Sequence, residues 1–297
     1  MRTSASFDAI WSTRFGKRRC WVNCRTAAKL EVELDSKAIS ELANGLLDDP
    51  ETWVETLKDD RRSTVNLCQW RNQYWVVKRY HDTPWRVLHY HFIRRTPAWR
   101  EWFGAQHLRH ASARVVDVFM LVHEERWGRW SQTLITPYIA APSLQKWIQE
   151  YGLAVTHDRS VRRQRLELAK SIGTQVGQLS AVGCFNRDHK IANLLIDSVC
   201  ESGRAVPLII DPARVIRGRS NRYFYRMMAS LAWSAEIIGY VDRKGQVACL
   251  RAALAKNENV AHDQPHRLQY AAEQIAMLLE KYRRIRRLRL ERQSPAG

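Results

Sequence analysis

A chain of 297 residues, 45% hydrophobic and 26% charged, is too apolar for a disordered polyelectrolyte and can bury a core as one two-lobed unit or two modest domains. Its longest apolar run, Val115 to Val122, is broken by Asp117 and falls short of the roughly 18 residues that a membrane-crossing helix needs. A net charge of +18 with a pI near 10.0 predicts attraction to a polyanion, whether nucleic acid, acidic lipid headgroups or a phosphorylated substrate.

Residues 1–50 read as an N-terminal extension. Met1 to Lys29 is basic and contains serines but lacks the apolar segment of a secretory signal, so a cytosolic location is expected. Cys20, Cys24, Cys68, Cys184, Cys200 and Cys249 show no small-scaffold spacing and are expected as reduced thiols; Cys20 and Cys24 would supply at most half a metal site. Ile39, Leu42, Ala43 and Leu46 share one face of a predicted helix over Ser36–Leu47, with Ser36 as its N-cap.

From Thr52 the periodicity shortens. Runs at Trp53–Leu57, Thr64–Trp70 and Tyr74–Tyr80, separated by Asp59-Asp60-Arg61-Arg62 and Arg71-Asn72-Gln73, predict an antiparallel meander. A helix over Ala98–His110 and strands at Val115–His123 and Thr133–Ile139 complete a β-rich lobe spanning 51–140.

The lobe 141–297 reads as mainly helical, ending in a basic helix. Over Arg163–Val182, Leu166, Ala169, Ile172, Val176 and Leu179 recur at spacings of three and four, and Gly183 stands where a C-cap belongs. Two short apolar runs follow, Asn193–Asp197 and Pro207–Asp211, each ending on an acidic residue; helices then include Met227–Ile238 and Leu268–Tyr282.

The string Phe185-Asn186-Arg187-Asp188-His189-Lys190-Ile191-Ala192-Asn193 follows a long helix and precedes Leu208-Ile209-Ile210-Asp211, and it resembles the catalytic loop and metal-binding strand end of the protein-kinase superfamily. Phosphoryl transfer needs a carboxylate to orient the acceptor, oxygen ligands for magnesium and positive charge on the phosphates, because its transition state spreads negative charge over the transferred group. The resemblance implies that Asp188 orients the acceptor hydroxyl and takes its proton, Lys190 touches the γ-phosphate of ATP, and Asn193 and Asp211 hold Mg²⁺. Upstream, Trp75-Val76-Val77-Lys78 resembles the strand carrying the phosphate-binding lysine, with Lys78 preferred to Arg79; Glu101 on the following helix is the candidate that holds it, Asp82 being too close in sequence.

Three features depart from the protein-kinase pattern. Asn186 stands two residues before Asp188 where a His is usual, Asp211-Pro212-Ala213 replaces Asp-Phe-Gly, and no Gly-x-Gly-x-x-Gly precedes Lys78, the corresponding turn being Lys58 to Thr64. No Ala-Pro-Glu follows, which argues against a regulated protein kinase. With the Lys-Arg-Tyr at the end of the third strand of the meander and the Glu-Trp of the helix, this combination resembles the lipopolysaccharide core kinase family, of Kdo/WaaP type, over roughly Thr52 to Ile238. That resemblance implies a bilobal α+β kinase-like fold, ATP and Mg²⁺ as cofactors, and a sugar hydroxyl of an anionic, lipopolysaccharide-core-like glycolipid as acceptor at the inner face of the cytoplasmic membrane.

The basic run Lys281 to Leu290 can lie on an anionic membrane surface or simply be a solvated helix end. Trp-Arg neighbours such as Trp70-Arg71, Trp85-Arg86 and Trp99-Arg100 are expected as core filling and cation–π pairs, and His81, His89 and His91 as surface or hydrogen-bonded histidines. The alternative reading is a catalytically weak pseudokinase used as a binding module. Nucleic acid, supported by charge and interleaved aromatics alone, is not an expected partner.

Overall fold

The computed structural model describes residues 9–81, 96–126, 129–152, 159–197, 205–218, 220–260, 262, 264 and 266–293. Asp82, Trp85-Arg86, His89, His91 and Cys200 lie outside these described residues. Two compact units are present: unit 1 holds residues 1–106 and 116–140, and unit 2 holds 107–115 and 141–297.

Unit 1 is a seven-stranded antiparallel sheet. It comprises β1 (Ile10–Phe15), β2 (Arg18–Asn23), β3 (Trp53–Asp59), β4 (Ser63–Trp70), β5 (Gln73–Tyr80), β6 (Met120–Arg126) and β7 (Arg129–Pro137), in the order β1-β2-β6-β7-β5-β4-β3. The predicted meander is therefore β3-β4-β5. The segment expected as an extension instead supplies β1, β2, α1 (Cys24–Lys29) and α2 (Ser36–Asp48) to this unit. Buried Arg18 on β2 fixes it there, pairing with Asp48 of α2 at 2.5 Å, with Glu124 of β6 at 3.1 Å and with Asn44 at 2.6 Å. The cap of α2 is Asp35, not Ser36: an extended Asp35 accepts the Lys37 and Ala38 amides at 3.0 and 3.1 Å.

Alternation along the strands gives the sheet two covered faces. On one, Val22, Val77, Met120 and Ile135 pack with Ile39, Leu42, Ala43 and Leu46 of α2. Across the other runs the row Val65, Lys78, Leu134, Leu121 and Trp21, set by strand register. Trp21 meets Trp99 of α3 (Pro97–His110) edge-on at 5.1 Å. Trp70 lies over Gly45, and Trp75 and Trp102 are buried, so these tryptophans fill the core as expected. The expected strand start at Val115 is not formed: Val115 makes a lone parallel bridge with Ile209 in unit 2, and β6 begins beyond Asp117.

Unit 2 is built on α4 (Leu144–Trp147), α5 (Arg159–Ala181), α6 (Asn221–Ile237), α7 (Arg243–Lys256) and α8 (Arg267–Gln293). Gly173 and Gly177 let α5 approach the backbone of α7; a Cβ at these positions would meet Cys249 O at 2.0 Å and Ala253 O at 2.3 Å. Gly183 ends α5 at φ +68°, as its position predicts. Two small ladders follow, β8 (Cys184–Asn186) with β11 (Val215–Arg217) and β9 (Leu194–Asp197) with β10 (Val206–Ile209). An apolar cavity of about 330 Å³ opens among α5, α6, α7 and α8, walled by Leu168, Ile172, Met228, Leu231, Ile275 and Leu279. Cys20, Cys24, Cys68, Cys184 and Cys249 are free thiols, and no described helix is long and apolar enough to cross a membrane.

Candidate active site

In unit 1 the strand period decides between neighbouring cations. Arg79 faces the α2 side and donates to Leu47 O at 3.3 Å, whereas Lys78 faces α3 and donates to Glu101 Oε2 at 2.7 Å. Both members of the Lys78–Glu101 pair are largely buried, and the Tyr80 hydroxyl donates to the same Glu101 oxygen. Tyr80 also offers its ring to the Lys78 ammonium at 5.2 Å. The sequence reading places Tyr80 in the Lys-Arg-Tyr string but assigns it no role in the site, although its position two residues after Lys78 puts both on one strand face.

The turn that replaces a glycine loop is closed by a carboxylate. Asp60 Oδ1 accepts the Arg62 and Ser63 amides at 2.8 and 2.9 Å, and Oδ2 pairs with Lys58 at 2.7 Å. Lys58 beside it, reinforced by the two amides, holds the Asp60 carboxyl well below the usual carboxylate range. Backbone donors of the kind that cradle phosphate are here engaged by the turn's own side chain. His81, the described member of the histidine set, bonds Thr64 Oγ1 at 2.7 Å.

In unit 2 the loop from Arg187 to Asn193 is pinned at both ends. The Arg187 amide donates to Arg214 O at 3.1 Å, extending the β8–β11 ladder, and the Ile210 amide donates to Asn193 O at 2.9 Å, extending the β9–β10 ladder. Asp211 thus follows directly after the residue paired with Asn193. Helix α6 supports the loop from below, with Met227 Sδ accepting the Asn186 amide at 3.3 Å and Ser234 Oγ accepting that of Ile191 at 3.1 Å. Asn186, where a His was usual, is fully buried and its Oδ1 accepts the Asp188 amide at 3.1 Å. The departure at this position therefore carries a positioning bond.

Asp188, Lys190 and Asn193 come together. Asp188 Oδ2 lies 3.3 Å from Lys190 Nζ and accepts from Asn193 Nδ2 at 3.4 Å, while Asn193 Nδ2 also donates to Asp188 O at 3.0 Å. With its nitrogen so engaged, Asn193 presents its carbonyl oxygen elsewhere. That oxygen and the Asp211 carboxylate are hard donors that fit Mg²⁺, which takes few protein ligands and completes its octahedron with water and phosphate oxygens. Among the described residues no three His, Cys, Asp or Glu side chains converge on a metal, so a site here fits Mg²⁺ only with nucleotide oxygens included.

Asp211 sits at φ +54°, left-handed backbone, immediately before Pro212, whose ring biases the preceding residue toward extended conformations. Backbone held in such a sparsely populated region costs on the order of 1–3 kcal/mol and concentrates at functional sites.

His189 is wholly buried, and among the described residues neither ring nitrogen has a hydrogen-bond partner. Burial pushes its pKa from 6.5 down to about 4. The unfolded chain therefore binds a proton that the folded chain refuses, so the stabilisation is present above pH 6.5 and is lost as pH falls toward 4. Unfolding free energies from urea titrations are expected to drop between pH 7 and pH 5, by about 1 kcal/mol per pH unit inside that window. His189→Leu should flatten the slope; an unchanged slope would assign the loss to other groups.

The β-rich unit carries a buried Lys–Glu pair and the helical unit an Asp-x-Lys-x-x-Asn loop beside an Asp, within a kinase-like fold of α+β class. Among solved structures the chain is similar to WaaP in complex with acyl carrier protein, with 17% identity over 81% of this chain and 96% of that chain and a TM-score of 0.55. This likeness bears on the fold. No family model matches the chain, and no curated protein matches it.

Proposed function

We propose that this chain is an ATP- and Mg²⁺-dependent kinase that phosphorylates a sugar hydroxyl of a lipopolysaccharide-core-like glycolipid. The observation that carries the reading is the Asp188–Lys190–Asn193 cluster, with Asp211 set next to it in sequence register by the β9–β10 ladder. Asp188 orients the acceptor hydroxyl and takes its proton, Lys78 and Lys190 bear on phosphate charge, and Asn193 and Asp211 hold Mg²⁺. Magnesium-bound ATP would supply a phosphoryl group with part of its charge neutralised; the chain's own work is positioning and electrostatics, without a covalent enzyme intermediate. The +18 charge favours an anionic acceptor, and the resemblance to lipopolysaccharide core kinases favours a sugar. Transfer of γ-phosphate to core glycolipids, but not to free sugars or a generic protein, is the expected result; transfer to no acceptor would overturn it.

One observation favours a second reading. The Asp60 carboxylate occupies the Arg62 and Ser63 amides, so a pseudokinase that binds nucleotide weakly or not at all fits this turn. Thermal-shift titration with ATP and Mg²⁺ separates the two, because ligand binding to the native state raises its midpoint by mass action. No shift at millimolar nucleotide selects the pseudokinase.

The solved neighbour is bound to an acyl carrier protein, and we extend that partner to this chain as part of the proposal. The cavity of about 330 Å³ supports it, since its apolar walls suit an acyl chain. Carrier protein bearing a long acyl chain should bind, and the unacylated form should not; Ala232→Trp, which fills the cavity, should abolish capture. Equal binding of both forms would remove the cavity from the reading.

A further inference from the structure

Helix α8 is anchored at its start by Arg267 and Tyr270, and from Ala271 onward the described contacts to the other helices of unit 2 follow one stripe. Ala271 is buried, Ile275 and Leu279 wall the cavity, Tyr282 meets Trp233 at 6.2 Å, and Arg283 donates to both oxygens of Glu236 at 2.8 Å. Arg286 completes the stripe over the Trp233 ring at 5.9 Å. At about 100° per residue, Met277, Lys281 and Leu288 fall on the side away from this stripe, with Ile285 on its flank. Met277 is 67% exposed, Leu288 45% and Ile285 37%. From Arg284 to Glu291 every residue is exposed, although Arg286 still lies over Trp233.

A helix in water draws most of its stability from packing an apolar face, and this one leaves three large aliphatic side chains uncovered in a single stripe. The stripe is bordered by cations: Lys281, Arg284, Arg287 and Arg289 are exposed around it. We propose that this face of α8 docks on the surface of an anionic lipid bilayer, with Met277, Ile285 and Leu288 entering the headgroup–acyl boundary and the cations meeting lipid phosphates. Lys281 fits such a surface because its stem lies with the aliphatic residues while its ammonium reaches the headgroups. A second copy is a poor occupant, since pairing two such faces would set one basic stripe against another. Nucleic acid would use the cations but leaves the aliphatic stripe unexplained.

The inference deepens the proposed reaction, because it would hold the chain at the surface where a lipid-linked acceptor lies, yet it rests on that reading only for its purpose. Its test needs no catalysis. Full-length protein is sedimented with vesicles of phosphatidylcholine alone and of phosphatidylcholine mixed with phosphatidylglycerol, in low and raised salt. Binding is expected only to the anionic vesicles and should weaken with salt. Ile285→Asn with Leu288→Asn should abolish it, and Arg284→Glu with Arg287→Glu should reduce it by more than tenfold, at roughly fivefold per cation removed. All four positions are exposed, so melting of both variants should match wild type. Equal binding to neutral vesicles, undiminished binding by both variants, or binding to a duplex oligonucleotide without binding to anionic vesicles would overturn the proposal. Failure of phosphate transfer with intact vesicle binding would fault the kinase reading alone.

Discussion

Asp188→Asn protein should transfer phosphate roughly 10²–10⁴-fold more slowly than wild type while binding nucleotide about as well. The substitution keeps size and one acceptor oxygen, so the bond from Asn193 and the one that the residue-188 backbone amide donates to Asn186 Oδ1 persist. What it removes is the group proposed to take the acceptor's proton and the partner of Lys190 at 3.3 Å. Lys78→Met should act differently, weakening nucleotide binding and leaving Glu101 with Tyr80 as its described hydroxyl donor. Asp211 needs a pair of variants, because its carboxylate and its left-handed backbone are separate properties. Asp211→Gly accepts φ +54° freely and deletes only the carboxylate, whereas Asp211→Ala adds backbone strain of about 1 kcal/mol. Both should lose Mg²⁺-dependent turnover, and similar melting of the two would show that the lost carboxylate, not backbone strain, accounts for it. The measurement is steady-state transfer to the best glycolipid acceptor, with thermal melting as the control for folding. Wild-type turnover by Asp188→Asn would sink the assignment of the reaction to this loop.

Much of the site was legible because its residues are close in sequence or fixed by strand period. Asp188, Lys190 and Asn193 fall within six residues of one loop, and a single turn with one 3₁₀ step suffices to bring them together. Lys78 could be separated from Arg79 because alternate residues of β5 face opposite sides of the sheet. Less visible were contacts made across long separations by ordinary side chains. Nothing local marks Met227 and Ser234 as supports of the Asp188 loop, since they are simply one face of an amphipathic helix.

The first 50 residues were misread for a different reason. Ile10–Phe15 and Arg18–Asn23 alternate like strands, and the two-residue link Gly16-Lys17 is a hairpin signal, with Gly16 at φ +54°. The segment nevertheless reads as an extension from its sequence, with only the helix over Ser36–Leu47 recognised in it. The burial of Arg18, which holds β2 to α2 and β6, depends on acidic partners as distant in sequence as Glu124 and is not readable from local pattern. Similarly, Asp35 and Ser36 are both good caps by residue type, and only the backbone settles which one accepts the amides.

Gly173→Ala should destabilise the protein by about 1–3 kcal/mol, and the sign is the informative part. In a helix interior, glycine to alanine ordinarily stabilises by up to about 1 kcal/mol, because alanine restricts the unfolded chain and suits helical dihedrals. Here the added Cβ would sit 2.0 Å from Cys249 O and 2.7 Å from Cys249 C, both backbone atoms of α7 that no rotamer change can withdraw. Gly177→Ala meets Ala253 O at 2.3 Å, one turn further along the same contact. Either change must push α5 and α7 apart, so the two should be subadditive: the separation forced by the first makes room for the second. Equilibrium urea unfolding of the two single variants and the double variant reads this directly. Because α5 leads through Gly183 into β8 and the Asp188 loop, the same separation should lower turnover in protein that remains folded. A stabilised Gly173→Ala variant would mean that α5 and α7 do not approach through this glycine pair, and the route by which the helical unit positions the Asp188 loop would have to be redrawn.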